Sequence, residues 1–218
     1  MIGAMTLPLT PDELLTTTRS VRKRLDLDRP VPMELVRESL EVAMQAPTGS
    51  NRQGWHWMVV TDADLRKQIG DYYAESFGAY RRSRGYAGNA EGRSAERQAV
   101  QARVTSSAEW LAERMGAVPV HVIGCITASE ELPAVNQAGL WGSLLPAAWS
   151  YQIAARARGL GSAWTTLHLK YEKEISALLG IPSDVRQGVL LPTAYFTGET
   201  FKPAKREPLD TVLHVDTW

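Results

Sequence analysis

The sequence predicts an α+β protein, a three-layer α/β/α sandwich whose central sheet is covered by helices on both faces. Three observations carry this. Helical and strand-like patterns are interleaved along the chain, with helices dominating. Residues 117–127 form a mostly apolar, β-branched run of strand length that reads as a central strand, and residues 189–196 form a second such run. From about residue 133 to Arg158 there is a long, unusually apolar helical pattern, which reads as a buried helix. A length of 218 residues suits one sizeable core, and no repeat or low-complexity tract divides it. One domain over residues 1–218 is expected.

Each element has a local reason. Thr10 can cap a short first helix, with Pro11 at its first position and Glu13 placed to close a capping box. Pro32 opens a second helix with Val36, Leu40, Ala43 and Met44 on one stripe, and Pro47 must stop it. Residues 55–61 read as the first strand. Thr61-Asp62-Ala63-Asp64 begins a helix carrying Leu65, Ile69, Tyr72, Tyr73 and Phe77 towards the core. Between Arg81 and Arg93 the pattern dissolves into Gly, Arg, Asn and Ser. That stretch reads as a mobile excursion or a solvated loop, and the wider region of about 64–105 as a candidate lid. Helical periodicity resumes over 94–115, with Val100, Val104, Trp110 and Leu111 apolar. Pro146 predicts a kink in the long apolar helix, or two abutting helices. Gly159-Leu160-Gly161 ends that helix and lacks the third glycine of a dinucleotide fingerprint, so it reads as a cap. Residues 162–167 are a short strand or loop, and 171–179 a short helix closed by Gly180. The tail from Thr197 contains Val212-Leu213-His214-Val215, an alternating piece without an obvious partner in its own chain.

Composition narrows the chemistry. Lys+Arg and Asp+Glu are equal at 24 each, whereas a nucleic-acid binder usually carries a basic surplus. Residues 1–10 show neither a basic n-region nor a long apolar core, and the least polar segment, 138–151, is too short to span a membrane. The single Cys125 suits a reducing compartment. A cytoplasmic protein is the expectation. The four histidines, His56, His121, His168 and His214, lack metal-ligand spacing, and no nucleophile elbow or Walker-type loop is present. No constellation of side chains could do hard chemistry unaided, so an enzyme built on this chain would take its reactive atom from a cofactor.

Three segments then converge. Arg19-Ser20-Val21-Arg22 follows the first helix, and forks and a hydroxyl suit phosphate and other oxyanions. Pro47-Thr48-Gly49-Ser50-Asn51-Arg52-Gln53-Gly54-Trp55 follows the second, a loop able to hydrogen-bond a heteroaromatic edge. Gly159-Leu160-Gly161-Ser162-Ala163-Trp164 follows the apolar helix, and Pro203-Ala204-Lys205-Arg206-Glu207-Pro208-Leu209 lies further on, near the C-terminus. In order and spacing these motifs resemble the FMN-dependent nitroreductase family. With Trp164-Thr165-Thr166-Leu167-His168 they are most similar to its actinobacterial branch.

The resemblance implies a mostly antiparallel sheet and an intertwined homodimer binding two FMN molecules between its subunits. The C-terminal extension, about 198–218, would cross over and add a strand to the partner's sheet. Carried over by residue, Arg19 and Ser20 would face the FMN phosphate and ribityl chain, and Arg22 the pyrimidine edge. Thr48, Gly49, Ser50 and Asn51 would reach the flavin from the partner, with Gln53 close by. Thr165 and Thr166 would sit beside the ring, and Lys205 with Arg206 would complete the phosphate cage. Lys23 and Arg24 are left as solvent or salt-bridge positions. No protein acid or base is required and no metal is expected, because flavin N5 carries the hydride and Arg22 gives electrostatic support.

NADH or NADPH would be the transient donor in a ping-pong scheme, followed by a nitroaromatic, quinone or similar small acceptor. Tyr72, Tyr73, Phe77 and Tyr80, with the excursion from Arg81 to Arg93, are candidate pocket walls, and ordinary core packing is the alternative for those aromatics. Two departures from the family pattern are Thr18, where many members carry a basic residue, and Gly54, where proline is usual before the tryptophan. A flavin-sequestering stress protein with little turnover, or a variant with different flavin chemistry, stands as the alternative.

Overall fold

A computed structural model of the chain describes residues 6–89, 95–129, 131–134 and 136–218. The first half of the N-terminal reading, the end of the expected excursion (90–93) and Ser94 lie outside the described residues.

The elements follow in chain order as α1 (Pro11–Thr17), α2 (Met33–Ala43), β1 (Trp55–Val60), α3 (Ala63–Arg81), α4 (Ala95–Arg114), β2 (Val120–Thr127), α5 (Ala138–Ala157), β3 (Leu160–Ser162), α6 (Glu172–Leu179) and β4 (Val185–Tyr195). The strands form one sheet in the order β1-β2-β4-β3, and every neighbouring pair is antiparallel. The fold is α+β, as expected.

Burial shows why the sheet has two covered faces. Val122 pairs with Leu191 and Ile123 with Leu190, and successive side chains on a strand point to opposite faces. Val122, Val189 and Leu191 pack with Val36 and Ala43 of α2 and Ala148, Tyr151 and Ala155 of α5. Ile123, Cys125 and Leu190 pack on the other side with Ile69, Tyr73 and Phe77 of α3, Leu111 of α4 and Ile175 of α6. Each fully buried aliphatic side chain contributes roughly 1.5–3 kcal/mol from burial. Cys125 is wholly buried, and desolvation pushes its thiol up to about 12, where it is inert. Burial likewise holds His121 and His168 neutral, with pKa values pushed down to about 4 and about 3. Among the described residues no group of His, Cys, Asp or Glu could hold a metal, and no helix is long and apolar enough to cross a membrane.

Helix starts follow local chemistry. The Thr10 hydroxyl accepts from the Glu13 amide at 3.2 Å while the Glu13 carboxylate accepts from the Thr10 amide at 2.8 Å, a complete capping box. The Asp62 carboxylate caps α3 by accepting from the amides of Asp64 and Leu65.

Several expectations need correction. The long helix starts at Ala138 rather than near 133, where the Asn136 side chain accepts from the Ala138 amide at 2.7 Å. It runs uninterrupted through Pro146 to Ala157 instead of dividing in two. Met44 does not join the buried stripe, because α2 ends at Ala43 and leaves Met44 exposed at the cap. Gly159, at φ +79°, makes the left-handed turn after α5, but Leu160 and Gly161 already belong to β3. A Cβ on Gly161 would meet the Val21 side chain at 3.1 Å, so the glycine allows the basic stretch to lie against this strand. β4 begins at Val185, four residues before the apolar run. Its polar start is possible because the Glu172 carboxylate accepts from the Arg186 guanidinium and from the Gln187 amide at 2.9 Å.

Most of the described part of the excursion is exposed, as a solvated loop would be, but Tyr86 and Ala87 are half-buried. The Tyr86 ring stands edge-on to Tyr80, whose hydroxyl accepts from the Ala87 amide at 2.9 Å, and the Tyr86 hydroxyl donates to Glu109. The C-terminal residues form a single 3-10 turn, Leu209–Thr211, and then no strand. Leu209, Val212 and Val215 are each about two-thirds exposed or more, and Trp218 is fully exposed.

Candidate functional site

The basic stretch is fixed along the sheet at β3 and the end of β4. The Val21 amide donates to the Ser162 carbonyl at 2.8 Å, and Leu25 bridges Phe196. Val21 and Leu25 are the buried anchors, 4% exposed each, so the residues around them are turned outward. Arg19, Ser20 and Arg22 thereby line one cavity of about 730 Å³ together with Ala204, Lys205 and Arg206. Five of the predicted binding residues, from the two ends of the chain, meet here.

Helix α4 supplies the other wall through Glu96, Arg97, Val100, Arg103, Val104 and Ser107. Val100 and Val104 were read from the sequence as apolar positions of this helix, but none of the six was expected at the site, because only tertiary packing brings α4 over the basic stretch. The cavity holds more cations than carboxylates. Lys205 pairs with Glu96 at 2.6 Å and Arg97 pairs with Glu207. Arg19 donates to the Lys202 carbonyl at 2.9 Å. Among the described residues Arg206 forms no hydrogen bond or ion pair. Surface ion pairs of this kind contribute little each, so an anion can displace them at small cost. The site suits a multiply charged anion.

Arg22 belongs to two cavities. The second, about 200 Å³, is lined by Tyr73, Phe77, Tyr80 and Tyr86 with Trp164 and Thr165. Among the described residues Arg22 makes one long hydrogen bond, to the Ser107 hydroxyl at 3.4 Å, and burial lowers its guanidinium pKa from the ordinary value. A desolvated cation with so little hydrogen bonding gains strongly from a negative partner. Burial raises the Tyr73 phenol, whose oxygen lies 2.9 Å from the Thr165 hydroxyl. Thr165 is itself locked to Leu190 by two backbone bonds, at 3.1 and 2.9 Å. Tyr73, Phe77 and Tyr80 were expected as pocket walls and line this cavity, and Tyr86 joins them from the excursion expected to contribute; Tyr72 instead lies tilted against Tyr171. Thr166 is exposed and lines neither cavity.

The predicted loop residues stand elsewhere. Thr48, Gly49 and Ser50 line a third cavity of about 500 Å³ with Arg52, Ile126, Leu140 and Ser143. Asn51 and Gln53 do not line it. A single chain therefore gathers the predicted residues into two separate places rather than one. The loop is tightly specified all the same. Ser50, Asn51 and Gln53 have φ of 54°, 52° and 52°, a left-handed conformation that costs an L-residue roughly 1–2 kcal/mol. The Gly49 amide donates to the Ser143 hydroxyl at 3.0 Å, and the Trp55 indole donates to the Ser143 carbonyl at 2.7 Å. The Gln53 amide donates to the Thr48 hydroxyl and its side chain to Asn51. Strain held by so many contacts points to a loop shaped for recognition.

The set aside positions also have roles. Lys23 donates to the Ser106 hydroxyl at 2.8 Å, and Arg24 donates to the carbonyls of Thr197 and Thr200 at 2.6 and 2.9 Å.

Comparison with known proteins agrees with this architecture. Iodotyrosine deiodinase 1 of Rattus norvegicus is 26% identical over 209 residues, 92% of this chain and 67% of that protein. A shorter stretch of 73 residues is 36% identical to the chloronitrobenzene nitroreductase of Comamonas testosteroni, covering 33% of this chain and 31% of that one. The crystal structure of a mutant of the FMN- and NADPH-dependent nitroreductase NfnB from Sphigopyxis sp. strain HMH has the same fold. Its TM-score is 0.68 at 22% identity, over 96% of this chain and 100% of the other. The sequence profile of the Nitroreductase family matches residues 15–195, most of the chain. The chain belongs to the nitroreductase family.

Proposed function

We propose that this protein is an FMN-dependent oxidoreductase that acts as a homodimer, with NADH or NADPH as donor and a nitroaromatic, quinone or similar small molecule as acceptor. The observation that carries the reading is the meeting of Arg19, Ser20, Arg22, Lys205 and Arg206 at one cavity, joined through Arg22 to an aromatic one. That donor set fits FMN. A phosphate dianion removed from bulk water needs more than one cation, and the cation-rich cavity supplies them. The aromatic cavity, with Thr165 beside Arg22, offers flat apolar walls and a few polar groups.

When bound, FMN supplies the hydride-accepting and hydride-donating atom. The chain's own residues then have separable tasks. Lys205 and Arg206, with Arg19 and Ser20, hold the phosphate end. Arg22 offers a fixed positive charge where reduction makes the ring system negative, and a preorganised charge in a desolvated place is worth more than one in water. Tyr73 keeps the Thr165 hydroxyl oriented. The loop of Thr48, Gly49, Ser50 and Asn51 is assigned to the partner's cofactor, which accounts for its standing in a cavity of its own. The exposed apolar residues of the C-terminal segment are assigned to the same dimer contact.

The likeness to the rat deiodinase over most of the chain supports a second reading, reductive chemistry on a halogenated phenol at the same flavin. Stopped-flow mixing of the purified flavoprotein with NADH and NADPH tests the first. Rapid bleaching by either donor is the expected result. An oxidised flavin that survives both donors would sink the oxidoreductase reading and leave a flavin-sequestering role.

A further inference from the structure

The root of the C-terminal arm is held by an unusual arrangement of cations. Arg24 donates to the carbonyls of Thr197 and Thr200, and its guanidinium carbon lies 4.1 Å from the centre of the Phe201 ring. Arg156 of α5 lies over the same ring at 5.0 Å and over Phe196 at 4.9 Å. The two phenylalanine rings are 4.9 Å apart. Arg156 is only 3% exposed, and its Nε and Nη1 have no hydrogen-bond partner among the described residues. Arg24 is close enough to oppose its charge. A buried cation beside a like charge is costly, and the aromatic faces are what remains to offset it.

The turn between the rings is built around Arg24. Gly198 sits at φ +79°, and a Cβ there would come within 2.7 Å of the Arg24 Nη2 atom. Just beyond Phe201 the Lys202 carbonyl accepts from Arg19, and three residues later come Lys205 and Arg206 at the cation-rich cavity. Phe201 lines none of the three cavities described above, so any influence on a ligand passes through the arm.

We propose that Phe201, gripped by Arg24 and Arg156, is a positioning residue that sets Lys205 and Arg206 over the anion end of the cofactor site. The proposal rests on the FMN reading above. Its specific consequence is selectivity for the phosphate: loosening the grip weakens binding of FMN and leaves riboflavin, which lacks the phosphate, unaffected.

The test measures FMN and riboflavin affinity of the deflavinated dimer for wild type, Phe201→Ala, Phe201→Tyr and Gly198→Ala. The expected result is about a tenfold loss of FMN affinity in Phe201→Ala, from the loss of two cation–ring contacts, with riboflavin affinity unchanged and Phe201→Tyr near wild type. Gly198→Ala, in an exposed turn, displaces the Arg24 guanidinium without removing a side chain and is expected to act in the same direction. Equal losses of FMN and riboflavin, or unchanged FMN affinity in both Phe201→Ala and Gly198→Ala, would overturn the positioning role while leaving the FMN reading intact. Wild-type protein that binds FMN no better than riboflavin would overturn both.

Discussion

Replacing Arg22 by alanine is expected to slow flavin reduction by about a hundredfold, the usual cost of losing one preorganised charge, while most of the FMN stays bound. Arg206→Ala is expected to do the reverse, releasing FMN with little effect on the reduction rate of the flavin that remains. The difference follows from where the two cations stand. Arg22 is the charged residue shared by the cation-rich and aromatic cavities, is desolvated, and among the described residues has only a long contact to Ser107. Arg206 is exposed on the arm and lines the cation-rich cavity alone. An exposed cation contributes to holding a dianion but is too well screened to tune a ring system. Stopped-flow reduction and FMN retention after ultrafiltration, measured on both variants, check the partition. Equal effects of the two substitutions on retention would refute it.

The second large effect is on stability. Gly70→Ala is expected to destabilise the protein by about 3 kcal/mol, read as a lower midpoint in a denaturant titration. In most helix interiors this substitution stabilises by roughly 1 kcal/mol. Here the sign reverses because a Cβ at Gly70 would lie 2.5 Å from the Gly116 nitrogen and 2.8 Å from its Cα. Both atoms are backbone and cannot rotate aside. They also belong to a tied structure, since the Arg66 guanidinium donates to the carbonyls of Gly116 and Val118 at 3.0 and 2.7 Å. Moving that segment would disturb the entry to β2, the strand packed on both faces. An unchanged or raised midpoint would mean that α3 can shift at little cost.

Much of the fold was legible in the chain because its signals are local. Thr10 with Glu13 and Asp62 with its two amides are read within four residues, and the apolar runs of β2 and β4 need no partner to be seen. What escaped reading depended on distant groups. Arg186 and Gln187 look unlike a buried strand until Glu172 is placed beside them. Gly161 looks like a cap until Val21 is placed against it. Pro146 left a kink and two abutting helices both open, and α5 continues through it as one helix.

The site divides in the same way. Arg19, Ser20 and Arg22 suited an oxyanion by residue type, while Lys205 and Arg206 were tied to them only by the family resemblance; the structure brings all five together from opposite ends of the sequence. The apolar positions Val100, Val104, Trp110 and Leu111 of α4 were legible, but not that Val100 and Val104 would face the basic stretch, since that depends on residues far away in the sequence. Arg24 was set aside as a solvent or salt-bridge position, and its hold on the carbonyls of Thr197 and Thr200 required the tail to be seen beside it. The loop at Thr48–Asn51 could be recognised but not joined to the rest within one chain.

If the cavity of Arg19, Ser20, Arg22, Lys205 and Arg206 holds the phosphate end of FMN, the flavin content of the purified protein tests this most directly. The expected result is a yellow protein that releases FMN on heating, at about one FMN per chain. A colourless protein whose absorbance and fluorescence ignore added FMN would contradict it.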